Sequence, residues 1–148
     1  MKTEILSILR EANGYISGQQ LCKQFQVSRT AVWKVIEQLK EEGYQIEAVR
    51  NRGYRLESAP DVMWRAEVES LLTTKWAGCG VLYFPETDST NTRAKRLGDE
   101  GASHGTLVVA EQQTGGKGRR GRRWESPAGS SIYMSILLRP EIQPNQAP

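Results

Sequence analysis

The sequence predicts an α+β chain in two parts, and three observations carry that reading. Residues 2–43 repeat apolar side chains at helical spacing between capping signals. An alternating stretch then folds around Asn51-Arg52-Gly53, and further on short apolar runs are separated by a helical segment and a glycine-rich loop.

In "MKTEILSILREANG", Ile5, Ile8, Leu9 and Ala12 recur at helical spacing, and Asn13-Gly14 supplies the stop. In "YISGQQLCKQFQ", Ser17 stands three residues before Gln20, the spacing at which side chain and backbone cap each other, with Leu21 and Phe25 turned inward. "VSRTAVWKVIEQLKEEGY" offers Ser28 as N-cap, Val32, Val35, Ile36 and Leu39 as a buried stripe, and Gly43 as terminator. So short a link between the second and third helices forces a steep crossing, as in a helix-turn-helix. The outward residues Arg29, Thr30, Trp33, Lys34 and Gln38 then lie on the helix that such motifs place in the major groove. "YQIEAVRNRGYRL" reads as a hairpin with Arg50, Arg52 and Arg55 at its tip, a basic wing. Ser28, Arg29, Thr30, Trp33, Lys34, Arg50 and Arg52 are therefore the expected DNA-binding residues of a winged helix-turn-helix over residues 1–58. Trp33 has two open roles, packing on the wing or touching DNA. A protein-interaction module with a solvated basic face is the bland alternative.

Ser58, Ala59 and Pro60 break the pattern, so residues 59–65 are expected to be a linker and 66–148 a second domain, starting with a helical stretch around Val62 to Leu72. "VLYF" at 81–84 predicts a strand, Asp88, Ser89 and Thr90 a helix start, Thr106 to Gln112 a second strand, and "SSIYMSILLRP" a third, buried on at least one face. Free backbone N–H groups beside hydroxyls at "DST" suit an anion or carboxyl group, although capping alone explains the same residues.

The stretch "QTGGKGRRGRRWESPAG" sets Lys117, Arg119, Arg120, Arg122 and Arg123 among four glycines. Such a loop is expected to be mobile when free and to order around a polyanion. Two partners remain open: a phosphate-bearing small molecule covered by a flap with Trp124 as lid, or nucleic acid gripped by glycine-arginine repeats.

Composition excludes several classes. A net charge of +3 with 25% charged residues fits an anionic partner without proving one. Two isolated cysteines, Cys22 and Cys79, indicate neither a disulfide framework nor a metal site, and are expected as buried or half-buried thiols in a reducing compartment. Nothing approaches the roughly 20 apolar residues of a membrane span. A cytoplasmic protein with no membrane role is expected. His104, the sole histidine, reads as surface decoration, and acid-base roles for Glu86, Asp88 or Glu111 have no support.

"ETDSTNT" at 86–92, "AEQQTGGKGRRGRRWESPAG" at 110–129 and "SIYMSI" at 131–136 resemble, in order and separation, the hallmark segments of biotin–protein ligases. With the preceding winged helix, the chain is similar to the bifunctional biotin operon repressor/biotin–protein ligase family. The resemblance implies an incomplete mixed α/β domain of the biotin/lipoate ligase type. Biotin and Mg2+-ATP would give biotinyl-5′-AMP, and the biotin would pass to a lysine of the biotin carboxyl carrier protein of acetyl-CoA carboxylase. It implies that Ser89, Thr90, Asn91 and Gln113 meet biotin. Gly116, Lys117, Arg119 and Arg120 would fold over biotin and phosphate, the last three as catalytic residues, with Trp124 covering adenine. Operator DNA and a ligand-dependent homodimer are the implied partners. Lys117 stands where the family often has Arg, and Gly115 where Ala is common. The sequence also stops at Pro148 before the family's Lys-Trp-Pro-Asn-Asp-like segment and C-terminal barrel. Residues 62–148 are accordingly expected to be unstable alone and full activity absent. The alternatives are a non-catalytic repressor that senses biotin or its adenylate, and a DNA-binding fragment with a vestigial second half.

Overall fold

A computed structural model describes residues 1–143. Its contacts divide the chain between Val62 and Met63 into two units.

The first unit contains helices α1 (Lys2–Glu11), α2 (Gly18–Phe25) and α3 (Arg29–Glu41), then strands β1 (Gln45–Val49) and β2 (Gly53–Ser58). Ser17 closes the expected capping box: its hydroxyl accepts from the Gln20 N–H at 3.1 Å while the Gln20 side chain accepts from the Ser17 N–H at 3.0 Å. Ser28 caps α3 by accepting from the Ala31 N–H at 3.2 Å. Between the two helices, Gln26 adopts the left-handed conformation (φ 54°), which turns the chain within three residues. β1 and β2 pair antiparallel, and Ile16 makes an isolated antiparallel bridge to Tyr54 that no local pattern in the sequence foretells. The core joins Ile5, Leu6 and Leu9 of α1, Leu21 of α2, Val32, Val35, Ile36 and Leu39 of α3, and Tyr44 and Ile46. Leu6 was not in the expected stripe of α1; Ile8, expected there, packs at the margin.

The second unit contains α4 (Arg65–Leu71), β3 (Val81–Phe84), α5 (Thr90–Asp99), β4 (Leu107–Ala110) and β5 (Tyr133–Ile136). β4 is central, parallel to β3 and antiparallel to β5. All four β4 side chains are buried, which explains its unbroken apolar run. α4 packs on β3, α5 packs on β4 and β5, and Val68, Val81, Leu107 and Val109 form the core.

Two strand expectations need correction. β4 is shorter than Thr106 to Gln112: it runs from Leu107 to Ala110, and beyond it the pairing is reduced to isolated bridges of Gln113 with Thr87 and Ser126. β5 keeps only Tyr133–Ile136 of "SSIYMSILLRP"; Tyr133 is buried and Ser135 half-buried, while Ile132, Met134, Ile136 and Leu138 on the alternate face are exposed. α4 also starts later than Val62, at Arg65.

Candidate functional site

In the first unit, α3 presents Arg29, Thr30, Trp33, Lys34 and Gln38 to solvent, opposite its buried stripe. Ser28 is exposed but its oxygen is engaged in capping. A cleft of about 530 Å³ lies between the starts of α2 and α3 and the hairpin turn, with Arg29, Arg50, Arg52 and Gly18 among its lining residues. Left-handed Asn51 (φ 64°) makes the turn, and a Cβ on Gly53 (φ 112°) would strike the Ile16 carbonyl oxygen at 2.0 Å.

Arg55 does not belong to the tip. It lies within β2, where its guanidinium donates to Glu47 at 2.9 Å and Glu57 at 3.0 Å. Neutralised this way, it is a structural cation rather than a free one. Tyr15 joins the cluster by donating to Glu47, and its ring faces Arg52 at 4.7 Å and Arg55 at 5.0 Å. The hydrogen bond to Glu47, then desolvation, raises the tyrosine above its ordinary range against the pull of the two arginines. Sequence reading missed Tyr15 because the contact spans 32 residues and follows no local pattern.

In the second unit, the start of α5 meets the strand region around Gln113. Ser89 and Thr90 are buried at 6% and 4% exposure; Asn91 is exposed. The expected hydroxyl capping does not occur. Ser89 occupies the N-cap position without a side-chain cap bond, and the Thr90 N–H instead donates to Gln113 Oε1 at 2.8 Å. The network continues through the Thr90 hydroxyl, 3.2 Å from Gln113 Oε1, which accepts from the Ser135 hydroxyl at 2.9 Å. Gln113 Nε2 donates to Ser126 at 3.1 Å. Ser126 and Ser135 were not foreseen, since only tertiary pairing brings them to "DST".

Asp88 fixes the turn into α5. Its carboxylate accepts from the Ser89 N–H at 2.8 Å and the Thr87 hydroxyl at 3.1 Å, and meets Arg96 at 3.1 Å. The Ser89 N–H above all, then the Thr87 hydroxyl and the Arg96 and Arg93 charges, holds its carboxyl below the usual range against partial desolvation.

The glycine-arginine segment folds back on itself. Gln113 N–H donates to Ser126 O at 3.1 Å, Trp124 N–H to Gly116 O at 2.9 Å and Gly118 N–H to Arg122 O at 2.8 Å, making an irregular hairpin tied to Asp88 O by the Gly115 N–H at 2.7 Å. Its tip is a 3-10 turn, Arg119–Gly121, in which Arg120 is left-handed (φ 59°), an arrangement that costs about 1–2 kcal/mol in a non-glycine residue. Lys117, Arg119, Arg120, Arg122 and Arg123 are exposed, and none forms an ion pair among the described residues. Gly116 is buried; a Cβ there would meet Trp124 O at 2.6 Å and Ser126 Oγ at 2.9 Å. The cation-bearing tip therefore stands on a tightly packed base.

A cavity of about 230 Å³ lies beside that base, lined by Gln113, Thr114, Arg123, Trp124, Glu125 and Ser126 among others. Of the expected ligand residues it gathers Gln113 and Trp124. Thr90 reaches it through Gln113, whereas Ser89, Asn91, Gly116, Lys117, Arg119 and Arg120 do not line it. Trp124 is 61% exposed, so it is not closed as a lid. No group of three or more His, Cys, Asp or Glu that could hold a metal occurs among the described residues.

Residues 2–55 match the family model of an HTH domain, and residues 83–148 match that of the biotin/lipoate A/B protein ligase family. This chain joins a helix-turn-helix domain to part of a biotin/lipoate ligase domain. It is 40% identical over its whole length to the bifunctional ligase/repressor BirA of Bacillus subtilis (strain 168), covering 46% of that protein. It is 35% identical over 92% of its length to BirA of Escherichia coli (strain K12), covering 41%. A shorter match, 46% over 55 residues, joins it to the biotin–[acetyl-CoA-carboxylase] ligase of Paracoccus denitrificans, covering 37% of this chain and 22% of that one. The chain thus spans under half the length of these relatives.

Two smaller expectations change on the ligase side. His104 is exposed but not decorative: its Nδ1 accepts from the Arg139 N–H at 2.9 Å and its ring packs on Trp76 at 4.6 Å. Cys79 is exposed rather than buried. No helix among the described residues is long and apolar enough to cross a membrane.

Proposed function

We propose that this chain forms part of a biotin–protein ligase that is also a transcriptional repressor. One observation carries the reading: a hairpin whose five cations form no ion pair among the described residues stands on buried Gly116 and is tied through Gln113 and Asp88 to a hydroxyl-bearing helix start. The names of the relatives supply the substrate class.

The first step is attack of a biotin carboxylate oxygen on the α-phosphorus of ATP. The bond to the β-phosphate oxygen breaks, and pyrophosphate leaves. Lys117, Arg119 and Arg120 act at the phosphate, where guanidinium and ammonium charge offsets the negative charge gathered in the transition state. Lys117 supplies a point charge where Arg would offer a two-pronged contact. Ser89, Thr90, Asn91 and Gln113 hold the biotin end, and closure of Trp124 over adenine excludes water from the anhydride. Magnesium would come with the nucleotide phosphates, whose negative charge the cationic loop fits.

In the second step, a lysine amine of the biotin carboxyl carrier protein attacks the acyl carbon. The bond to AMP oxygen breaks, the amine loses a proton, and AMP departs. Arg119 and Arg120 retain the anhydride until then. The same adenylate closes the hairpin tip and favours a two-fold dimer, which presents Arg29, Thr30, Trp33, Lys34, Arg50 and Arg52 of two winged helices to operator DNA.

Biotin-dependent pyrophosphate release from ATP tests the enzyme reading, with retention of biotinyl-5′-AMP measured beside it. Arg119→Gly should shorten retention at least tenfold. Adenylate-responsive DNA binding without pyrophosphate release would instead establish the sensing repressor, the reading favoured by the failure of the expected ligand residues to meet in one cavity.

A further inference from the structure

Among the large apolar side chains of the first unit, only Met1 and Trp33 are left exposed, and Trp33 is 52% open. Met1 is the chain start. Trp33 is different, because it sits one turn into α3 on the face that carries Arg29, Thr30 and Lys34. The core below is already closed by Val32, Val35, Ile36 and Leu39, so folding does not require an indole there. Nor does Trp33 line the arginine cleft beside the hairpin turn. It is a large apolar surface surrounded by hydrogen-bond donors.

A helix in the major groove meets donors and acceptors on every base pair, but one apolar group alone: the C5-methyl of thymine. Arg29, Thr30 and Lys34 can satisfy the polar edges and phosphates. We infer that Trp33 is a specificity-determining residue that packs its indole on a thymine methyl, so each recognised half-site carries thymine at one fixed step. This deepens the DNA-binding reading proposed above and rests on it. A sugar or phosphate contact by the same side chain would add affinity without sequence preference.

The test uses the 148-residue chain and a duplex that it enriches from a randomised pool, with each thymine replaced singly by deoxyuridine to remove only the methyl. At one position per half-site, deoxyuridine should weaken binding about threefold to tenfold, the scale of one buried methyl. Trp33→Ala should abolish that penalty, binding thymine and deoxyuridine duplexes alike, and Trp33→Phe should restore part of it. Helical circular dichroism confirms that each variant is folded, as expected for an exposed site. If Trp33→Ala weakens binding yet keeps the full deoxyuridine penalty, or if no single deoxyuridine matters to the parent chain, the inference is overturned while DNA binding stands. Failure of the parent chain to bind any duplex in a salt-dependent way overturns both.

Discussion

The two units handle apolar surface in opposite ways. The first closes a ten-residue core from three helices and a hairpin, whereas the second gathers four buried residues in its main cluster and leaves Met134 and Ile136 of edge strand β5, with Ile132 and Leu138 beside it, exposed. The first is a finished interior; the second presents a sheet edge of the kind that invites pairing. Apolar periodicity therefore means different things in the two halves. In α3 it marks what is buried, and in β5 it marks what still faces water.

Truncating a side chain in each unit should expose that difference most strongly. Leu39→Ala, at a fully buried site, is expected to cost about 2–5 kcal/mol, whereas Ile132→Ala should stay within about 0.5 kcal/mol because its side chain is 65% exposed. Chemical denaturation followed by amide exchange separates the two units. Equal losses would erase the contrast.

A second comparison sets Gly116 against Gly118 in the same hairpin. A Cβ at Gly116 meets backbone at 2.6 Å, but at Gly118 the nearest atom is 3.4 Å away. Gly116→Ala is thus expected to destabilise the hairpin base by about 1–3 kcal/mol, the range of an overpacked site, and Gly118→Ala by much less. Hydrogen exchange at Trp124, whose N–H donates to Gly116 O, reads this directly.

The two N-cap serines offer a finer contrast. Ser17→Ala removes a real capping bond and should cost about 1 kcal/mol. Ser89 makes no such bond. Ser89→Ala should leave the start of α5 protected, as measured by exchange at residues 90–93.

These contrasts also explain how far the sequence could be read. The capping box of α2, the stripe of α3 and the hairpin are local patterns, so Ser17 with Gln20, and Val32 with Val35, Ile36 and Leu39, were legible. Leu6 was missed because α1 buries a wider face than its strictest spacing implies. The polar network of Thr90, Gln113, Ser126 and Ser135 was half legible: motif resemblance pointed to Thr90 and Gln113. The two serines become partners only when β4, β5 and the folded-back hairpin assemble. Arg55 was misplaced for the same reason, since its pairing with Glu47 depends on cross-strand register.

Acid should distinguish the units least. Asp88 titrates below its unfolded value, so the stability it contributes is complete above the ordinary carboxylate range and is lost as pH falls through its depressed folded pKa. Asp88→Asn should remove that dependence from the start of α5, and exchange at Ser89 against pH checks it. That substitution should leave exchange in the first unit unchanged.

On this reading the cationic hairpin clasps an acyl-adenylate and is not a second grip on DNA. Amide exchange across residues 116–124, measured with saturating biotinyl-5′-AMP and separately with duplex DNA, tests it most directly. Exchange should slow with the adenylate and stay unchanged with the duplex. Protection by duplex alone would contradict it.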